Sequence, residues 1–319
     1  MSIRILSAQD VEMALSMNKA IDLMRVVFSQ LAADRVTLPL RGQIATKSGI
    51  TLLMPAYLHQ SEDLAVKLVS VYKNNHQLKI PNVNAIVLVL DSQTGIPKAL
   101  IEGNALTAIR TGAVGGLAAQ LLSRHDSEIV GLFGAGVQAK AQLLGAMAVR
   151  SIKKVNLISQ TPSSAQKLAN IIKSWSNPPQ VNLVATPQQA VQNADIVITA
   201  TNSLTPVFNG QDLKLGTHIT AVGSYQPHMQ EIDSITLKRA RIIVDSKEAC
   251  LAEAGDIIIS KAHIDAELGE IINQTKSARQ SEAEITFFKS VGLAIQDVIT
   301  GNWILKEAEK QKLGKVIDL

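Results

Sequence analysis

The sequence predicts an α/β chain in which a Rossmann-type doubly wound domain is joined to an α+β domain with a mostly antiparallel sheet. Two changes of pattern and one turn carry this reading. Residues 38–101 keep a period of two, as half-buried strands do. From 128 to 245 short apolar strands alternate with helical stretches, the pattern of a parallel sheet covered by helices. At the start of that alternation Gly134-Ala135-Gly136 comes after a strand and opens a helix. The expected division is 1–115 plus 290–319 for the first domain and 116–289 for the second.

Taken in order, Ser7 to Leu31 reads as helix, with Ser7 as cap and apolar residues recurring from Val11 to Leu31. Arg41–Thr46 and Ile50–Met54 form a hairpin about Lys47-Ser48-Gly49, and Asp63–Tyr72 is a third strand. A second hairpin joins Asn84–Leu90 to Ile96–Ile101. Glu102 to Leu122 is a long helix rich in Ala and Gly, able to pack its backbone closely. Strands come next at 128–133, 154–159, 181–186, 195–201, 217–223 and 241–245, with helices at 137–149, 163–174 and 187–193. Beyond Glu253 helical signals return, and Ile285–Lys312 reads as one amphipathic stretch folding back on the first domain.

Composition bounds the function. With 46% hydrophobic residues but only two Trp, three Tyr and five Phe, the core is aliphatic. The single Cys250 leaves no disulfide framework and no cysteine metal cluster, so no metal is expected. No uninterrupted apolar run reaches membrane-spanning length, and Arg4, Asp10 and Glu12 break any signal-peptide pattern. A cytoplasmic protein without membrane partners is the expectation. The net charge of +4 is dispersed, without a basic stripe interleaved with aromatics, which argues against nucleic acid and suits small anions.

The glycine turn is where chemistry first becomes legible. Gly134 permits the tight turn, Gly136 leaves room for a pyrophosphate against bare backbone, and Ala139 lets helix and strand pack closely. Phosphates would meet the free N–H groups at the helix start. An acid that would hold ribose hydroxyls is expected about 20 residues further on. Here stand Ser159, Gln160 and Thr161 instead. The missing acid admits a 2′-phosphate, so NADPH is the preferred cofactor, with NADH the alternative.

In the antiparallel half, Lys67 sits amid apolar neighbours whichever face of its strand is buried. A buried ammonium needs an anionic partner or substrate. Arg41, after a proline-containing segment, and Arg110, within the small-residue helix, are similar oddities whose planar forks suit a carboxylate. Tyr225 and His228 fall in the loop after a strand of the doubly wound half, where ligand crevices open.

These features coincide with a family. LPLR (38–41), LLMP (52–55), AVKLVSV (65–71), LTAIRTGA (106–113), GAGVQA (134–139), VDS (244–246), EAGD (253–256) and FKSVGLAIQD (288–297) together resemble the ornithine cyclodeaminase/μ-crystallin family over essentially the whole chain. The resemblance implies an antiparallel domain used for homodimerisation and a small imino-acid or amino-acid substrate held between the domains. It implies Arg41, Lys67 and Arg110 as substrate-carboxylate residues. Thr111, Gly134, Gly136, Val137, Gln138, Ser159, Gln160, Thr161, Thr201 and Ser290 match or adjoin cofactor contacts, and Lys289 falls beside the nicotinamide end.

Within the family the activity is read from two departures. Cyclodeaminases carry an Asp where this chain has Tyr225, and a Glu at the position of Leu52. Ammonia release needs carboxylates to handle protons, and alanine dehydrogenase shares the loop Asp. The expectation is therefore reduction of Δ1-pyrroline-2-carboxylate or Δ1-piperideine-2-carboxylate, with Lys67 or else Tyr225 giving the imine its proton. The alternatives are an ornithine cyclodeaminase, a cis-3-hydroxy-L-proline dehydratase, or a non-catalytic NADP-dependent binding protein of μ-crystallin type.

Overall fold

The computed structural model describes residues 2–318, and the chain divides into two units, Met1–Arg110 with Leu293–Leu319 and Thr111–Gly292. The first unit begins with a strand that periodicity did not reveal, β1 (Ser2–Leu6). The expected single helix is two, α1 (Ala8–Ala14) and α2 (Met17–Ala32). Ser16 explains the break: it caps α2 as Ser7 caps α1, and each hydroxyl accepts from a backbone N–H inside its helix. The strands of this unit continue with β2 (Val36–Thr37), β3 (Gly42–Ala45), β4 (Ile50–Leu58), β5 (Asp63–Val71), β6 (Val83–Leu90) and β7 (Pro97–Glu102). Glu102 accepts from the Asn104 and Ala105 N–H groups at the start of α3 (Gly103–Leu122).

α3 carries the chain across the division at Arg110/Thr111, five residues before the expected boundary. It is long and apolar enough to cross a membrane by length and composition, yet 67% of that span is buried inside the protein, as in a core helix. In the second unit, Gly145 allows the close approach that the small residues of α3 suggested, since a Cβ there would meet the Gly112 backbone.

The second unit has the doubly wound pattern: β8 (Ile129–Phe133), α4 (Val137–Val149), β9 (Lys154–Ile158), α5 (Pro162–Lys173), β10 (Gln180–Leu183), α6 (Pro187–Val191), β11 (Ile196–Thr199) and β12 (His218–Ala221). Then come α7 (Ser234–Arg239), β13 (Ala240–Val244), α8 (Lys247–Glu253), α9 (Gly255–Ser260), β14 (Ala266–Glu267), α10 (Leu268–Ile272) and β15 (Ile285–Lys289). The sheet order is β10-β9-β8-β11-β12-β15-β13-β14 with every pairing parallel. The order reverses between β8 and β11, which opens the crevice where such sheets bind ligands.

One expectation fails here. Ile285–Lys289 is not the head of an amphipathic helix but a strand between β12 and β13, buried at all five residues. A five-residue run buried on both faces carries neither period, so on sequence it merges with the helix downstream of it. That helix is α11 (Ala294–Gln311), which returns the chain to the first unit, and β16 (Lys315–Asp318) ends the described residues.

The first unit's sheet runs β16-β1-β7-β6-β5-β4-β2 with β3 beside β4. Only β1–β7 is parallel. α11 packs on β4, β5 and β6, and buries the face that carries Met54, Ala56, Ala65, Lys67, Val87 and Val89. On the other face Leu53, Leu68 and Ile86 form one cross-strand row, with Val66, Leu88 and Leu100 in the next. Those six side chains are half-buried or exposed.

Candidate functional site

Lys67 lies in the middle of β5, flanked across the sheet by Met54 and Val87, and only 3% of it is exposed. Its ammonium donates to Asp297 Oδ2 at 2.8 Å. Arg110 Nε donates to Asp297 Oδ1 at 3.1 Å, and Arg110 Nη1 donates to Gln296 Oε1. Asp297 is thus a bridge between the two cations. It stands in the first turn of α11, where the helix N-terminus also favours a negative charge. Gln296 Nε2 and Thr107 Oγ1, both in this unit, are buried with no acceptor or donor of their own.

The electrostatics derive from this arrangement. Burial lowers Lys67 to about 8; Asp297 opposes the fall, while Arg110 and Arg41 add to it. Burial would raise Asp297, but the charges of Arg110 and Lys67 outweigh it and hold the carboxyl below its usual range. Arg41, half-buried just before β3, is near enough to act on Lys67. Two buried cations, Lys67 and Arg110, therefore share one carboxylate in a dry place. Such a cluster favours a second, incoming carboxylate.

Asp297 is the residue that sequence reading missed. It lay inside the FKSVGLAIQD segment, but nothing in its spacing pairs it with a lysine 230 positions away. The only signal was negative: a lysine in an apolar strand needs an acid somewhere.

In the second unit a cavity of about 880 Å³ opens over the carboxyl ends of β8, β9 and β11. Gly134, Gly136, Val137, Gln138, Ser159, Gln160, Thr161 and Thr201 all line it. Gly134 has φ +101, a left-handed conformation, and a Cβ there would strike the Ala200 carbonyl. A Cβ at Gly136 would touch nothing, so the missing side chain there keeps space open before α4 and does not serve packing. Gly136 caps α4 without a side-chain hydrogen bond, which leaves the helix N–H groups to a ligand. Gln138 Oε1 is buried and unpartnered. No residue lining the cavity is charged. These are the features a dinucleotide needs: backbone donors for phosphates, a close approach at glycine and hydroxyls at the end of β9.

Thr111, Ser290 and Lys289 do not line this cavity. Thr111 is buried on α3, its carbonyl accepting from Gln142 Nε2. Ser290 Oγ donates to Asp245 Oδ2, which also takes the Val291 and Gly292 N–H groups. Lys289 is fully enclosed, and its ammonium lies 3.1 Å from Asp256 Oδ2. Tyr225, 42% exposed, sits in the bend after β12, and burial raises its phenol further. A raised phenol stays protonated near neutral pH, where it cannot take up a proton as a base. Leu52 shares Lys67's face of the sheet, opposite Val69.

Comparison with known proteins then decides the family. The sequence model of the ornithine cyclodeaminase/mu-crystallin family matches residues 1–312. The chain belongs to that family. Among family members, Δ1-pyrroline-2-carboxylate reductase of Bacillus cereus is 38% identical over 98% of this chain and 99% of its own. Ketimine reductase mu-crystallin of Mus musculus is 35% identical over 82% of this chain and 81% of its own. The solved Δ1-pyrroline-2-carboxylate reductase of Thermococcus litoralis, in complex with NADH and L-proline, has a TM-score of 0.93 and 40% identity, covering 98% of this chain and 99% of its own. The family fold is a Rossmann-type unit with an antiparallel-sheet unit, as the two sheets here display.

Proposed function

We propose that this protein is an NAD(P)H-dependent reductase of cyclic ketimine carboxylates, turning Δ1-pyrroline-2-carboxylate into L-proline and accepting the six-membered analogue. The observation that carries the reading is the buried cluster of Lys67, Arg110 and Asp297, with Arg41 beside it. Arg41 and Arg110 hold the substrate carboxylate, and the imine nitrogen faces Lys67. Bound NADPH, or NADH, supplies the hydride to the imine carbon. Lys67 gives its proton to the imine nitrogen, which makes the C=N bond the better electrophile. Asp297 keeps that proton in place against burial and the two arginines. The residues that hold the cofactor are Gly134, Gly136, Val137, Gln138, Ser159, Gln160, Thr161 and Thr201. The uncharged end of β9 admits a 2′-phosphate, and NADPH is the preferred form.

The cyclodeaminase reading lacks its carboxylates, since Tyr225 and Leu52 stand where they are needed. Purified protein is given NADPH or NADH and each cyclic imine made in situ, and the absorbance of reduced nicotinamide is monitored. Imine-dependent oxidation supports the reading; its absence with both cofactors and both rings overturns it. We further propose a cytoplasmic homodimer, formed through the open apolar face around Leu53, Leu68 and Ile86. Light scattering on eluted protein should give twice the chain mass of 34.2 kDa, and Leu68→Glu should return it to one chain.

A further inference from the structure

We infer that Glu231, held by Asp256 and Lys289, is a positioning residue that ties the wall of the cofactor cleft to the loop carrying Tyr225. The inference rests on the dinucleotide reading of that cleft. Glu231 has no exposed surface, and nothing in the proposed chemistry uses it. Its Oε1 accepts from Thr201 N at 2.7 Å and from Thr201 Oγ1 at 2.8 Å. Its Oε2 accepts from Gly223 N at 2.7 Å and Ser224 N at 3.2 Å. Thr201 lies just past β11 and lines the cavity, while Gly223 lies just past β12 and leads into Tyr225. One carboxylate therefore binds the ends of two neighbouring strands at the side of the sheet where the cavity opens.

The anchor beneath it is equally specific. Asp256 Oδ1 accepts from Glu231 N at 2.7 Å and Ile232 N at 3.0 Å, which fixes the backbone that presents Glu231. Lys289, the last residue of β15, balances Asp256 from below. Ser224 Oγ donates to Met229 O and accepts from Asp256 N, which closes the loop on itself. A Cβ on Gly223 would strike the Thr201 carbonyl and Glu231, so the two loop ends already touch. Burial, helped by Asp256, pushes Glu231 above its usual value, although Lys289 and the Thr201 donors pull it down. With four donors on its two oxygens the carboxylate is the form this geometry fits. An amide cannot replace it: one end of a Gln would turn an NH2 group towards either Thr201 or Gly223, donor against donor.

The test compares two carboxylates of the same unit. Asp195 is the control, since it also accepts from two backbone N–H groups, of Glu128 and Ile129, and pairs with Arg124 and Lys214, but at the amino ends of β8 and β11. NADPH affinity is measured by titrating the fluorescence of the reduced nicotinamide, and melting temperature by calorimetry. Glu231→Gln is expected to weaken NADPH binding about tenfold. Asp195→Asn should lower the melting temperature comparably and leave binding within twofold. If Glu231→Gln does not fold, Ser224→Ala, which removes the ties to Met229 O and Asp256 N and leaves the Ser224 N–H on Glu231, should weaken binding about threefold. NADPH binding unchanged in the folded Glu231 or Ser224 variant overturns the inference. A wild-type protein that binds neither NADPH nor NADH overturns the dinucleotide reading, and this inference with it.

Discussion

Lys67 and Lys289 are both buried, both on strands and both paired with an aspartate, at 2.8 Å and 3.1 Å. They nevertheless do different work, and their surroundings say why. Around Lys67 burial pushes the ammonium down to about 8 and Asp297 opposes it, but that one carboxylate is shared with a second buried cation, Arg110. Around Lys289 the second neighbour is Glu231, an acid, so two acids face one cation there. A surplus of cations calls for an anion from outside; a surplus of anions is closed from within, by backbone donors. Burial of a lysine alone does not mark a site. The sign of the local imbalance does.

The comparison is most directly stressed by removing each ammonium. Lys67→Met should lower turnover of the imine by about 10²–10⁴-fold, the usual worth of a positioned acid, with NADPH affinity within twofold. An equal loss of NADPH affinity would move Lys67 out of the substrate site. Lys289→Met should act on stability, by about 3–5 kcal/mol, because Asp256 is left buried and uncompensated. Denaturant melts measure this; a variant as stable as wild type would show that the pair is not structural.

A smaller effect distinguishes charge from geometry. Arg110→Lys keeps the cation but cannot reach both Asp297 and Gln296, so KM for the imine should rise about tenfold while kcat changes less. An unchanged KM would say that only charge matters there. The last effect, absent at neutral pH, concerns a buried group that stays neutral. Burial depresses His218 to about 3, with Arg279 and Arg150 adding to it, between Thr286 and Thr220. Its folded value lies below its unfolded one, so the unfolded chain takes a proton that the folded one refuses. Stability should decline as pH falls from about 6.5 towards 3. His218→Gln should flatten that decline in melts recorded against pH.

Much of this was legible in the chain itself. The glycine turn, the small-residue helix and the two hairpins are local patterns, and local patterns survive in sequence. So did Arg41, Lys67 and Arg110, because each is the wrong polarity for its surroundings. Their partners were not legible. Asp297 and Glu231 sit in ordinary polar positions, and only the fold brings them to Lys67 and Thr201. Ile285–Lys289 escapes a sequence reading for a related reason: a strand buried on both faces leaves no polar beat to count.

The central claim is that Lys67 is the proton donor and that Asp297 keeps it charged. The decisive measurement is kcat/KM for Δ1-pyrroline-2-carboxylate across pH, in wild type and in Asp297→Asn. Both share any titration of the substrate, so the difference between them reports the enzyme. Wild type should lose activity as pH rises through about 8, where the Lys67 ammonium deprotonates. In Asp297→Asn burial and both arginines act on Lys67 unopposed, and the loss should begin at lower pH. Superimposable profiles would contradict the account.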